Sequence, residues 1–254
     1  MTVKKVSRKS KMTEFTEACI RANREVLQSL REHFSEVLLE KTERGAGGDI
    51  SSRADLLAEE IFVRHLGSFG TIESEESGLI GEGEATVIID PLDGSANFAS
   101  GFPYYGTSVA LLDKTGRLRY AQVCNLSNGD LFITEDEGKV YTDNLLSSKL
   151  SPQVGMPDPE LGLFEKAYAN PKVSIALLEA GYKFRSPGAT ALSLAYARNV
   201  QFFLFIGKSR IYDIVAGLAI CEGLAVIVEE DYVIVSQSKN IAKKLETIVR
   251  RSLA

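Results

Sequence analysis

The stretch Ile88-Ile89-Asp90-Pro91-Leu92-Asp93-Gly94-Ser95-Ala96-Asn97-Phe98 decides how this chain is read. A short β-branched run from Thr86 to Ile89 predicts a strand, and it stops at a carboxylate. Pro91 fixes the exit, a second carboxylate follows at Asp93, Gly94 permits a tight backbone and Ser95 can cap a short helix. The pattern sets two carboxylates at a strand end with helix-start amides just beyond them. Amides of that kind hold anions, phosphate among them. Asp, Pro and Gly are also common turn formers, so the surroundings must decide between a turn and a site.

Those surroundings are acidic. Glu73-Ser74-Glu75-Glu76-Ser77-Gly78 lies shortly upstream, with Asp49 and Asp55 before it. Downstream, Tyr212-Asp213-Ile214-Val215-Ala216-Gly217 places a carboxylate at the start of an apolar helix, where an acid also suits the helix dipole. If Glu75, Asp90, Asp93 and Asp213 converge, each pair about 4 Å apart repels by about 4 kcal/mol at an effective dielectric near 20. A divalent cation relieves that repulsion and lets an acidic protein attract an anion. The histidines are His33 and His65, both on predicted helices, and no cysteines cluster, so a zinc site is poorly supported. An all-oxygen shell favours Mg²⁺, with Mn²⁺ as a substitute.

Bulk properties agree with an ordinary soluble protein. The 254 residues suffice for one large domain or two of usual size, with 44% apolar and 25% charged residues. Net charge is -5, from 29 basic and 34 acidic side chains, which gives no reason to expect nucleic acid as a partner. Cys19, Cys124 and Cys221 are odd in number and widely spaced, which predicts a reducing cytoplasm rather than a disulfide framework. The basic start, with Lys4, Lys5, Arg8, Lys9 and Lys11, is not followed by an apolar secretory core and reads as a solvated tail. The apolar run Ile211 to Val228 contains Asp213 and Glu222 and reads as a core helix and strand, with no membrane segment.

Periodicity predicts one amphipathic helix over Thr13–Leu39, with Phe15, Ala18, Cys19, Ala22, Val26, Leu30 and Phe34 inward. A polar, glycine-rich and mobile stretch over Lys41–Gly48 follows. A second helix is capped by Ser52, with Asp55 at its third position, Leu56, Leu57, Ile61 and Phe62 inward, and Gly67 beyond its end. From Ala85 a meander of short antiparallel strands begins, at 106–112, 117–125, 130–135 and 139–142. The prolines of Ser147–Pro159 mark the best boundary. Residues 1–150 form an N-terminal α+β half with the antiparallel sheet and most metal ligands. Residues 151–254 form an alternating α/β half that contributes Asp213 and substrate contacts.

Asp90 to Phe98 resembles the first signature of the inositol monophosphatase family, and Tyr212 to Gly217 its second. Ser74-Glu75-Glu76-Ser77 is similar to the family's Gly-Glu-Glu-Ser element, and Asp49-Ile50-Ser51-Ser52 with Asp55 to its Asp-x-Val-Thr…Asp segment. The four elements fall in the family's order. The resemblance implies an αβαβα five-layer sandwich of the sugar phosphatase type, usually a homodimer. It implies a site for two or three Mg²⁺ built from Glu75, Asp90, the Leu92 carbonyl, Asp93 and Asp213. It also implies that Asp55 and Ser95 orient the attacking water and that the Gly94 and Ser95 amides hold the phosphate. The stretch before Asp49 corresponds to a loop that helps carry a further metal.

The substrate is a small phosphate ester. Gly188-Ala189-Thr190 sits where the family makes substrate contacts, and Asp93 joins them. Inositol-preferring members carry a Glu where this chain has Ile206, whereas Lys208 and Arg210 stand ready for a second phosphate. That combination resembles archaeal-type members that hydrolyse fructose 1,6-bisphosphate and inositol monophosphate. A nucleotide 3′-phosphate or NADP phosphatase of the same family is the alternative within the enzymes. An inactive metal- or metabolite-binding module is the alternative outside them.

Overall fold

In the strand that runs from Thr86 to Asp93, three residues past the stop expected at Asp90, side chains alternate between two different apolar layers, and the whole architecture grows from such alternations. The structure is a computed structural model that describes residues 8–32, 35–48, 50–136, 138–147 and 151–253. His33, Phe34, Asp49, Lys4 and Lys5 lie outside the described residues.

An eight-stranded sheet has the order β10-β9-β8-β7-β6-β5-β3-β4. Its strands are β3 (Thr71–Ser74), β4 (Gly78–Ile80), β5 (Thr86–Asp93), β6 (Gly106–Leu112), β7 (Leu118–Asn125), β8 (Asp130–Glu135), β9 (Val140–Asn144) and β10 (Ser151–Pro152). All its pairings are antiparallel except β3 with β5. Val87, Ile89, Val109, Tyr120 and Ile133 face helices α1 (Arg8–Glu32) and α2 (Arg53–Leu66). Ile88, Ala110, Ala121, Val123 and Phe132 face the opposite way, onto α5 (Thr190–Ala195) and α6 (Ile211–Ile220). This period of two is the strand pleat read out as packing.

The second sheet has the order β12-β11-β13-β15-β14, from β11 (Leu161–Glu165), β12 (Lys183–Arg185), β13 (Phe202–Ile206), β14 (Ala225–Val228) and β15 (Tyr232–Ser236). Along β13, Phe203 and Phe205 pack toward α5 and α6, while Phe202, Leu204 and Ile206 pack against α4 (Pro171–Glu179) and α7 (Lys239–Leu253). The layers therefore run helices, sheet, helices, sheet, helices, which is the expected αβαβα sandwich. β13 is apolar throughout because both its faces are covered. Among the described residues, no helix is long and apolar enough to cross a membrane.

Several expectations need correction. The first helix is described as far as Glu32, and it does not reach Leu39: Ser35 is extended and a separate 3₁₀ turn follows at Glu36–Leu39. The polar stretch after it begins with an unexpected strand: β1 (Lys41–Arg44) pairs antiparallel with β2 (Ile50–Ser52). Every residue of β1 is exposed, so no apolar pattern announces this hairpin; backbone pairing and the Thr42 hydroxyl, which donates to the Ser51 carbonyl, hold it. On α2, Leu56 points outward; the buried face is Ala54, Ala58, Ile61, Phe62 and Leu66. β3 and β4 were not anticipated, because three or four residues with a central Glu or Leu give too little period.

The middle layer is thin, since α5 and α6 serve both sheets at once. A Cβ added at Gly217 on α6 would stand 2.7 Å from Leu194 Cβ of α5, so the two helices meet through a glycine. We expect Gly217→Ala to cost roughly 1–3 kcal/mol in urea unfolding, as overpacking of a close contact does. An unchanged midpoint would show that the helices can part without loss.

Candidate active site and metal centre

Strand register builds the site. In the parallel pair, Ser74 stands opposite Ile89, so Glu75, just past the end of β3, comes beside Asp90 of β5, and the Glu75 amide donates to the Ile89 carbonyl at 3.2 Å. In the antiparallel pair with β6, Asp90 opposes Ser108 and Asp93 opposes Gly106. One extra residue therefore bulges out at Pro91–Leu92, where a proline removes no needed ladder bond. The bulge reverses the parity of the strand. Asp90 and Asp93, three apart, would otherwise point to opposite faces; here both point into the α5–α6 layer.

The three segments converge there. One carboxylate oxygen from each of Glu75, Asp90 and Asp213 lies within 4.8 Å of the other two. Asp90 and Asp213 are only 3% and 4% exposed. Asp213 occupies the first turn of α6, whose start is tied to β6 by the Ser108 hydroxyl donating to the Tyr212 carbonyl at 3.2 Å. Burial, then the charges of Glu75, Asp93 and Asp213, push the Asp90 carboxyl well above the usual carboxylate range, while Arg210 opposes the rise.

Asp93 is placed differently from the other three. Its Oδ1 accepts from the Thr190 amide at 2.9 Å and its Oδ2 from the Leu192 amide at 2.8 Å, so it caps α5 from another strand. Burial, then Asp213, raises its pKa. Asp93 thus borders the three-carboxylate group and also locks the wall that carries Gly188 and Thr190.

Ser52 and Asp55 form a reciprocal capping box at the head of α2, with the Ser52 amide donating to Asp55 Oδ2 at 2.6 Å. The other oxygen, Oδ1, lies 2.6 Å from Ser95 Oγ, which is also 2.9 Å from the Leu92 carbonyl; the single hydroxyl proton is shared between these two acceptors. Gly94 precedes α3 (Ser95–Ala99) with φ +87°, and a Cβ there would lie 3.1 Å from both Ala189 Cβ and the Tyr104 carbonyl. The position demands glycine both for its conformation and for space. The first amides of α3 have no intrahelical acceptor.

These groups line a cleft of about 390 Å³, together with Leu92, Gly188 and Thr190. Ala189 lies buried beneath it, against Gly94. Arg210 enters from the rim, but its guanidinium is spent on the acids, with Nη1 2.6 Å from Glu75 Oε1 and Nε 3.0 Å from Asp213 Oδ2. Lys208 does not line the cleft; it is exposed and stands 3.9 Å from Glu230. Ile206 packs into the outer apolar layer. His65 is engaged elsewhere, with Glu25 at 2.8 Å.

Sequence reasoning assigns no site role to four charged lining residues. Glu165 is buried at the end of β11, accepts from the Gly188 amide at 2.9 Å and bonds the Ser193 hydroxyl. Its signal was a carboxylate ending an otherwise apolar strand. Glu76 is held by Ser51, and burial pushes its carboxyl up to about 7. Lys41 and Lys166 bring positive charge to the walls; no pattern in sequence marks a surface lysine as part of a cleft.

The donor set suits a hard cation. Glu75, Asp90, Asp213 and the Leu92 carbonyl offer oxygen only, and their buried negative charge calls for a counter-charge.

Comparison with known proteins gives the family. The family model for the inositol monophosphatase family matches residues 11–229. A protein of Archaeoglobus fulgidus named fructose-1,6-bisphosphatase/inositol-1-monophosphatase is 28% identical over 216 residues, covering 80% of this chain and 81% of the relative. A putative Nus factor SuhB of Neisseria meningitidis is 31% identical over 235 residues, covering 86% and 88%. The solved Thermotoga maritima IMPase shares the fold with a TM-score of 0.75 at 21% identity, covering 93% of this chain and 98% of its own. A family match that reaches from the first helix into the second sheet makes this chain a member of the inositol monophosphatase family of metal-dependent phosphatases.

Proposed function

We propose that the chain is a Mg²⁺-dependent phosphomonoesterase of small phosphorylated metabolites, with fructose 1,6-bisphosphate and inositol 1-phosphate as its foremost substrates. The observation that carries this reading is the meeting of Glu75, Asp90 and Asp213 beside the Asp55–Ser95 pair and the start of α3. The substrate choice is supported by the name of the Archaeoglobus fulgidus relative and by the small volume of the cleft. Lys41 and Lys166 on its walls favour a second anionic group. A cytoplasmic location and a homodimer belong to the same reading.

Glu75, Asp90, Asp213 and the Leu92 carbonyl, with Asp93 beside them, are the groups that would hold the metal. A bound Mg²⁺ supplies counter-charge to the ester and acidifies water. The protein's own groups do the rest. Asp55, fixed on one oxygen by the Ser52 amide, accepts a hydrogen bond from the Ser95 hydroxyl on the other, and with that proton held between Asp55 and the Leu92 carbonyl the Ser95 lone pairs are left for the cleft. From there Ser95 accepts a hydrogen bond from the attacking water and aims it. The amides of Gly94 and Ser95 at the start of α3 receive phosphate oxygens. Asp93 and Glu165 hold the opposite wall by fixing the amides between Gly188 and Leu192.

Asp213→Asn should lower kcat about a hundred-fold or more while leaving the melting temperature close to wild type. Chelation should abolish activity and Mg²⁺ should restore it. Turnover in chelator equal to that in Mg²⁺ would defeat the reading. Ser95→Ala should lower kcat about a hundred-fold with little change in KM, whereas Ser95→Thr keeps the hydroxyl and most of the rate; equal rates for all three proteins would remove Ser95 from water orientation. A panel of sugar phosphates, inositol phosphates, NADP and 3′-phosphoadenosine nucleotides, compared by kcat/KM, tests the substrate. Lys166→Ala should raise KM for fructose 1,6-bisphosphate about ten-fold and for inositol 1-phosphate much less. Equal changes would mean that Lys166 reads no second phosphate.

A further inference from the structure

Arg210 lines the cleft, but its guanidinium is turned to the acids. It is the N-cap of α6, three residues before Asp213, and its guanidinium grips both oxygens of that carboxylate: Nε to Oδ2 at 3.0 Å and Nη2 to Oδ1 at 3.2 Å. Nη1 reaches Glu75 Oε1 at 2.6 Å and stands 3.4 Å from the Gly47 carbonyl. One arginine therefore bridges two of the three converging carboxylates, which come from opposite halves of the chain. Its side chain is 29% exposed, against 12% and 6% for Glu75 and Asp213, so the cation covers the acids from the solvent side.

We propose that Arg210 is a built-in counter-cation that competes with the divalent ion for Glu75 and Asp213. The proposal rests on the reading of those two residues and Asp90 as metal ligands. A guanidinium makes its best bonds with a carboxylate in this forked arrangement, and the same lone pairs must turn to a metal that binds them. Two cations at neighbouring positions in a half-buried site also repel. Metal binding is then an exchange: the ion enters and the guanidinium lets go. Because the arginine lies on the solvent side with a long flexible stem, it can withdraw to water without unfolding α6. The exchange weakens metal affinity but keeps the carboxylates assembled when metal is scarce.

The test is Mg²⁺ titration of metal-stripped protein by calorimetry, with Mn²⁺ binding followed by electron paramagnetic resonance, on wild type, Arg210→Met and Arg210→Lys. Arg210→Met should bind Mg²⁺ about ten-fold more tightly than wild type, because a charged, forked contact no longer has to break. Its Tm without metal should fall below that of wild type, and saturating Mg²⁺ should close the gap. A fixed structural role would leave the gap open and the affinity equal or weaker, and that result overturns the proposal. If Arg210→Met does not fold, Arg210→Lys keeps the charge without the fork and should bind Mg²⁺ more tightly by a smaller factor; equal or weaker binding overturns the proposal as well. Failure of wild type to bind either ion would bring down the metal reading together with this one. Binding that is lost in Asp90→Asn but unaltered in Arg210→Met would bring down the exchange alone.

Discussion

Carboxylates in a desolvated place resist meeting, and most of this structure exists to make three of them meet. Glu75, Asp90 and Asp213 arrive from a strand end, a strand bulge and a helix start. Each is held by a backbone that has its own reasons to be where it is. The parallel pairing of β3 with β5 aligns Glu75 with Asp90, and packing of α6 between two sheets delivers Asp213. The apolar burial of these layers, worth about 25 cal/mol per Å² of apolar surface, opposes the local repulsion. Stability is thereby spent on a concentration of negative charge that a cation relieves, whether a bound divalent ion or the Arg210 guanidinium.

The bulge at Pro91–Leu92 is the smallest feature with the largest consequence. Without it, Asp93 would face α1 and α2, toward the apolar cluster that holds Val87 and Ile89 and away from the amides of α5. With it, Asp93 finds two amides of α5. The same turn brings the Leu92 carbonyl to the cleft and starts α3 through Gly94 in the left-handed region. One local irregularity thus orients two carboxylates, a carbonyl and a row of amides.

α5 is held from both sides by acids. Asp93 binds its first turn from the eight-stranded sheet, and Glu165 binds the Gly188 amide and the Ser193 hydroxyl from the five-stranded sheet. A six-residue helix has little stability of its own. These two buried carboxylates, with the apolar contacts of Leu192 and Leu194, fix it and so fix the wall that carries Gly188 and Thr190.

Local chemistry was legible along the chain. The capping box at Ser52 and Asp55, the strand that leads into Asp90, the glycine at 94 and the acid at the head of α6 all follow from rules that act over a few residues, whereas the strand's continuation past Pro91 to Asp93 does not. Apolar periodicity likewise placed most helices and strands, because burial of one face leaves a pattern in the order of residues. What the order of residues left open was decided by contacts between distant segments. The β1–β2 hairpin, whose first strand is fully exposed, is written in backbone pairing and in the bonds of Thr42 and Ser51, not in an apolar pattern. The turn of Asp93 toward α5 depends on a register that no single strand contains. Whether Arg210 faces substrate or acids, and whether Lys208 or Lys166 reaches the cleft, depends on which side of a loop the fold leaves open. A side chain's type is fixed by the sequence, but its neighbours exist only once the layers have closed.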